Sequence, residues 1–326
     1  MHPPAPSSTL CCCTCSLIVS GLYQFLSTDE QAMSHTPLKN LGENAILKRL
    51  LCTLKNLPDA PVGPGDDCAV VPRNEEWDTL LKTDVVVENV HFTPNTAPHR
   101  IGRKALGRAV SDIAAMGGIP EQALITILTH KNRPVELLEG IYRGIDEMAG
   151  LFDISIAGGE TSAIPFDGLV INVALTGRVE RGQAILRSGG RAGDTIYVTG
   201  PLGGSFPSGH HLDFIPRVHE ARALLQAGLK PTAMMDLSDG LGADLPRLAS
   251  ASACGFELTP AAIPCTPGCT VEQAINDGED YELLLTLSPA ESADLQKRSL
   301  PKLYPIGKLT VAPLHKLKGG WQHFQA

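Results

Sequence analysis

The sequence has no block of lysine or arginine, and its formal net charge is −8 over 326 residues. A nucleic-acid binder needs a basic face to meet a polyphosphate, so that class is set aside. No GxxxxGK[ST] stretch occurs, which excludes a P-loop. Gly240-Leu241-Gly242 lacks the third glycine of a dinucleotide fingerprint, and no HRD…DFG set marks a protein kinase. The apolar segment from Cys15 to Leu26 is too short to cross a bilayer. No lysine or arginine precedes Lys39, so the positive n-region of a secretory signal is missing. Residues 1–40 are expected to be a disordered extension, or to follow from a start placed too far upstream, with Met33 as the sensible start.

Nine cysteines are present, four of them at Cys11, Cys12, Cys13 and Cys15. CCCTC has no second Cys/His pair at zinc-finger spacing, so a zinc site is not expected. Cys265 and Cys269 read as buried or surface thiols in a reducing cytosol. Hydrophobic residues make up 43% of the chain, and 32 glycines and 25 prolines punctuate it. That composition suits a soluble globular protein with room for two domains.

Periodicity predicts helices over 42–54, 100–116, 134–149, 218–227 and 241–253. It predicts strands over 69–71, 80–87, 123–129, 154–157, 169–179, 195–199, 256–258 and 281–287. Residues 58–65 and 200–209 read as loops, and the Gly- and Arg-rich stretch 182–193 as a domain junction. The outcome is two α/β units of similar size, an α+β arrangement with domains at 41–182 and 183–326.

Acidic residues recur beside small ones. Asp66 and Asp67 follow Gly65, Asp84 follows Thr83, Asp112 follows Ser111, and Glu160 follows Gly158-Gly159. Asp236 and Asp239 bracket Leu237-Ser238 before Gly240. Small neighbours let a phosphate–metal cluster approach the backbone, and scattered carboxylates converging on one cleft suit Mg2+ better than zinc. Each acid also has a structural explanation. Gly-Asp-Asp is commonly a turn, Asp236 to Asp239 could cap a helix, Gly158-Gly159 could end a strand, and Asp84 could close a hairpin. Asp112 is different, because an acid inside an otherwise apolar helix has no capping role.

Taken in order, several motifs resemble the thiamine-monophosphate kinase family, within the aminoimidazole ribonucleotide synthase-like superfamily. They are Gly65-Asp66-Asp67-Cys68-Ala69, Thr83-Asp84 with His91, and Ser111 to Gly117. Asp236 to Gly240, Gly278 to Leu283 and the closing Gly320-Trp321-Gln322-His323-Phe324 follow. The resemblance spans roughly residues 41 to 324. It implies a two-domain fold whose first-domain sheets pair across a homodimer. It also implies transfer of the ATP γ-phosphoryl group to thiamine monophosphate, with several Mg2+ ions and ATP as co-substrate.

By the same resemblance Asp67, Thr83, Asp84, Asp112, Glu160, Asp236 and Asp239 would ligate metal. Tyr142, Gly159, Arg187 and Ser238 would contact ATP, and His91, Glu279 and Trp321 would hold the thiamine phosphate. The nucleophile would be an already ionised phosphate oxygen, so no general base is implied. Three positions depart from the pattern: Lys82 stands where the family usually has Ser or Thr, Glu160 where it has Asp, and Gly204 where it commonly has Asp, in a loop that looks shortened. An ammonium cannot ligate a cation, so one metal site would be lost or replaced by charge. The alternatives are another ATP-using superfamily member, such as aminoimidazole ribonucleotide synthase or selenophosphate synthetase, and a non-catalytic binder of thiamine phosphates.

Overall fold

The structure is a computed structural model that describes residues 36–41, 43–54, 62–295, 297–298, 300–311, 317 and 319–321. CCCTC, Met33, most of the expected 58–65 loop, and Gln322, His323 and Phe324 lie outside the described residues. The chain forms two compact units, residues 1–53 with 323–326, and residues 54–322. In the first, helix α1 covers Glu43–Leu51, with Leu47 and Leu50 exposed.

The second unit contains two five-stranded sheets. Strands β1 (Ala69–Pro72), β2 (Trp77–Val87), β3 (Ile119–His130), β4 (Ser155–Ile164) and β5 (Leu169–Glu180) form the first, in the order β1-β2-β5-β3-β4. Only β3 and β4 run parallel there. Strands β6 (Thr195–Val198), β7 (Ala233–Asp236), β8 (Gly255–Leu258), β9 (Leu283–Leu287) and β10 (Tyr304–Thr310) form the second, in the order β7-β9-β6-β10-β8, all antiparallel.

Alternation along β2 decides which side chains meet the interior. Leu80 and Val86 are buried whereas Leu81, Thr83 and Val85 are exposed, so Lys82 and Asp84 share the face of Leu80. That face is covered by helix α2 (Pro98–Ala115), which opens on a proline and is buried along nearly its whole length. Helix α3 (Val135–Phe152) crosses α2 where Gly102 and Gly144 allow the two backbones to touch. A Cβ on Gly144 would lie 1.7 Å from the His99 carbonyl oxygen.

One core joins Leu80, Ile125 and Ile171 of the first sheet to Leu106, Val110 and Ile113 of α2. It continues through Leu224 of helix α6 (Val218–Gln226) to Met234 and Leu285 of the second sheet. A second core lies on the other face of that sheet. Met235, Leu284 and Val198 meet Leu241, Leu245 and Leu248 of helix α7 (Leu241–Ala251) there. Strands β7 and β9 therefore face apolar surroundings on both sides, which is why every residue in them is buried.

Some elements differ from the sequence reading. The expected loop 200–209 holds a helical turn at Ser205–Ser208 (α4), followed by another at His210–Asp213 (α5). Gly158 and Gly159 do not end a strand. They sit inside β4, and a Cβ on Gly159 would lie 1.9 Å from the Ile125 carbonyl oxygen. Gly240, with no side-chain cap, precedes α7, so neither Asp236 nor Asp239 caps that helix.

Candidate active site

Three carboxylates from distant parts of the chain meet. Asp67 comes from the turn before β1, Asp112 from the last turn of α2, and Asp236 from the end of β7. One oxygen of each lies within 4.8 Å of the others, and all three residues are buried. Oδ1 of Asp67 accepts hydrogen bonds from the Arg187 guanidinium, while its Oδ2 is buried without a donor. Asp236 accepts a 2.7 Å hydrogen bond from the Ser111 hydroxyl. Burial pushes the Asp236 carboxyl up to about 6, helped by the charge of Asp67. Burial also raises Asp112 well above the carboxylate range against the pull of Lys82. Such a nook is costly unless positive charge enters it.

Fixed cations surround the nook. Lys82 Nζ lies 2.9 Å from Asp112 Oδ1. Arg108 Nε donates to Asp84 Oδ2 at 3.1 Å, and Asp84 Oδ1 accepts the Val85 N–H at 2.7 Å. Burial raises the Asp84 carboxyl, but Arg108 and Lys82 outweigh it and hold the group below its ordinary value. Asp239 pairs with Arg247 at 2.5 Å, and its backbone N–H donates to Asp244.

A second cluster adjoins through Arg108, whose Nη1 is buried without an acceptor, 3.9 Å from Glu279. Glu279 receives the fully buried Lys104 at 2.5 Å and His211 Nδ1 at 3.1 Å. Burial alone would raise Glu279, but His211 and Lys104 prevail and hold it at about 2. Lys104 also donates to the His91 carbonyl at 2.6 Å. The loop that carries Glu279 is tightly wound, with positive φ at Glu279 and Tyr281.

The first part of the chain, residues 65–179, matches the model of the AIR synthase related protein, N-terminal domain. The chain is 36% identical to the thiamine-monophosphate kinase of Rhodopirellula baltica, over 78% of this chain and 84% of that protein. It is 32% identical to the thiamine-monophosphate kinase of Bacillus subtilis, over 76% and 84%. The chain belongs to the thiamine-monophosphate kinase family. The fold of that family is seen in a solved structure of AaThiL complexed with AMPPCP and TMP. It superposes with a TM-score of 0.78 at 28% identity, over 88% of this chain and 99% of the other.

Of the residues that the resemblance to thiamine-monophosphate kinases nominated, the structure brings Asp67, Asp112 and Asp236 together, with Arg187 on Asp67 and Asp84 held nearby through Arg108 and Lys82. Ser238 and Asp239 lie just beyond β7, after Leu237. The Ser238 carbonyl accepts the Glu279 N–H at 2.7 Å, and the Asp239 carbonyl accepts the Trp321 N–H at 2.9 Å. His91 is buried, and its Nδ1 accepts the Val87 N–H at 3.0 Å.

Thr83 and Glu160 are not part of the cluster of three. The Thr83 hydroxyl donates to Asn172 on the exposed face of the first sheet, and Glu160 is exposed on β4, bonded to Thr161 and Ser162. Tyr142 stands half-exposed on α3 with no side-chain hydrogen bond among the described residues, and Gly159 lies within β4. Sequence reasoning missed Lys104, Arg108 and His211. The spacing of Lys104, Arg108 and Asp112, four residues apart each time, was the available signal, since it puts them on one helix face.

Proposed function

We infer that this protein transfers the γ-phosphoryl group of ATP to thiamine monophosphate, giving thiamine diphosphate and ADP. The observation that carries the reading is the buried convergence of Asp67, Asp112 and Asp236 in a chain of this family. The donor set is all oxygen, and Asp67 Oδ2 is buried with no hydrogen to accept, which fits a hard divalent cation such as Mg2+. We take Asp67, Asp236 and Asp112 as the residues that would hold it, with Asp239 and Asp84 at the margin. Thr83 and Glu160 would serve only from the open face of the first sheet.

When bound, the ion supplies Lewis-acid neutralisation of the phosphate oxygens. The protein's own part is alignment. A phosphate oxygen of thiamine monophosphate attacks the γ-phosphorus, and the bond to the β-phosphate oxygen breaks in line. Both groups are anions, so Arg187 and Arg108 reduce their repulsion. The nucleophile is ionised at neutral pH and asks for no base. Glu279 and His91, locked by Lys104, form a rigid wall suited to the thiamine end, and Trp321 offers an aromatic face for stacking. Tyr142, Gly159 and Ser238 remain the proposed nucleotide contacts.

The outer face of the first sheet exposes Leu81, Val85 and Leu124, at 45%, 39% and 49%, which supports a homodimer paired through that face. No helix among the described residues is long and apolar enough to cross a membrane. We place the enzyme in the cytoplasm, and take 41–182 and 183–326 as its working domains. The test is incubation with thiamine monophosphate, ATP and Mg2+. Thiamine diphosphate forming in step with ADP supports the reading. Tight binding of both substrates without turnover would leave a thiamine-phosphate binder instead.

A further inference from the structure

We propose that Lys82 is a resident cation of the acidic nook, its ammonium group standing in for one divalent ion. The chain then works with one metal ion fewer than it would hold with an uncharged residue at this position. The proposal rests on the reading that these carboxylates bind metal beside a nucleotide.

The geometry is specific. On β2, odd-numbered residues from Leu81 to Val85 face outward, where a lysine would be solvated at no cost. Lys82 lies on the other face, beneath α2, with its side chain only 20% exposed and its Nζ 2.9 Å from Asp112 Oδ1. An ammonium turned inward is held there only by the charge it meets. It donates hydrogens and has no lone pair, so it cannot share a metal ion's shell, and it repels any ion brought against the same oxygen.

The neighbouring acids are occupied in the same manner. Arg108 and the Val85 N–H each meet one oxygen of Asp84, and Arg247 meets Oδ2 of Asp239. What stays open to an ion is the side of the nook lined by Asp67 Oδ2, Asp236 and the oxygen of Asp112 that Lys82 does not meet. Lys82 and a metal ion thus divide the carboxylates between them.

The experiment counts bound Mn2+ per chain from the free-ion electron paramagnetic resonance signal, with AMPPCP present. Wild type is expected to bind a definite number, Lys82→Thr and Lys82→Met one more, and Lys82→Arg the wild-type number. Equal counts in wild type and in both neutral variants overturn the proposal. A wild-type chain that binds no Mn2+ instead overturns the metal-site reading, so the two failures are told apart. Should the neutral variants fail to fold, the unmodified chain still decides. Its Lys82 ammonium resonance, assigned by loss in Lys82→Arg, should persist at saturating Mg2+, and its release from Asp112 under those conditions overturns the proposal.

Discussion

Asn in place of Asp112 keeps the shape of the side chain and removes its charge, which separates folding from chemistry. Folding should survive at reduced stability, because Lys82 loses one buried partner but keeps the charge of Asp84 beside it. Turnover should fall by about 100-fold or more, since Lys82 loses its counterion and the nook a carboxylate. Steady-state kinetics beside a thermal melt check both halves, and near-normal turnover would count against the site. His91 gives a pH prediction. Burial, reinforced by Arg108, holds its imidazole down to about 4, against 6.5 for an unperturbed ring. The unfolded chain therefore binds the proton first, and stability should fall as pH drops from about 6.5 to about 4, then level off. Protonation of Nδ1 also breaks the bond from the Val87 N–H. Urea midpoints at pH 7 and pH 5 should separate more in wild type than in His91→Asn, which keeps an acceptor but does not titrate. At this scale Asp112 was legible in the sequence, because an acid inside a helix, away from its N-terminus, has no capping use. Arg108 and Lys104 were not read, although their spacing to Asp112 places all three on one helix face, because cations on a helix are ordinarily solvated and only the packing shows that this face is interior.

Among elements, the α2–α3 crossing is the most constrained contact. Alanine at Gly144 would gain about 1 kcal/mol of helix propensity. Its methyl group, however, would meet the His99 carbonyl at 1.7 Å, a backbone atom that cannot swing aside. The helices must separate, and overpacking of this kind costs about 1–3 kcal/mol or more, so the net sign is destabilising. Gly150→Ala on the same helix meets nothing within 4 Å and should stabilise by up to about 1 kcal/mol. Urea unfolding of the two variants should therefore shift in opposite directions. The long helices and the strands of the first sheet were readable from period, with ends displaced by a few residues except in β4, which reads as ending at Ala157 and runs on through Gly158 and Gly159 to Ile164. Strands β7 and β10 escaped. Ala233–Asp236 is four residues long, too short to show alternation, and β10 contains Pro305 and Gly307, which ordinarily mark a break. Here the register shifts between those two residues, so the proline sits at a bulge inside the sheet.

For the whole molecule, the proposed homodimer makes a direct prediction. Lysines at Leu81 and Leu124, on adjoining parts of the open sheet face, should shift the sedimentation coefficient from dimer to monomer while far-ultraviolet circular dichroism is unchanged. An unaltered coefficient would place the contact elsewhere. The α+β class was legible because all five strands of the first sheet and three of the five in the second show in the strand pattern, between helices of helical period. How a face that reads as half apolar is covered was not, since alternation shows that a side chain points outward without showing what it meets.

The two sheets are also bound to a common fate. Met234 and Leu285 serve the core shared with α2, while Met235 and Leu284, their immediate neighbours, serve the core under α7. A strand cannot melt on one side only. Neither half should survive excision as an independent module, and heating residues 54–322 should reveal a single calorimetric peak in place of two.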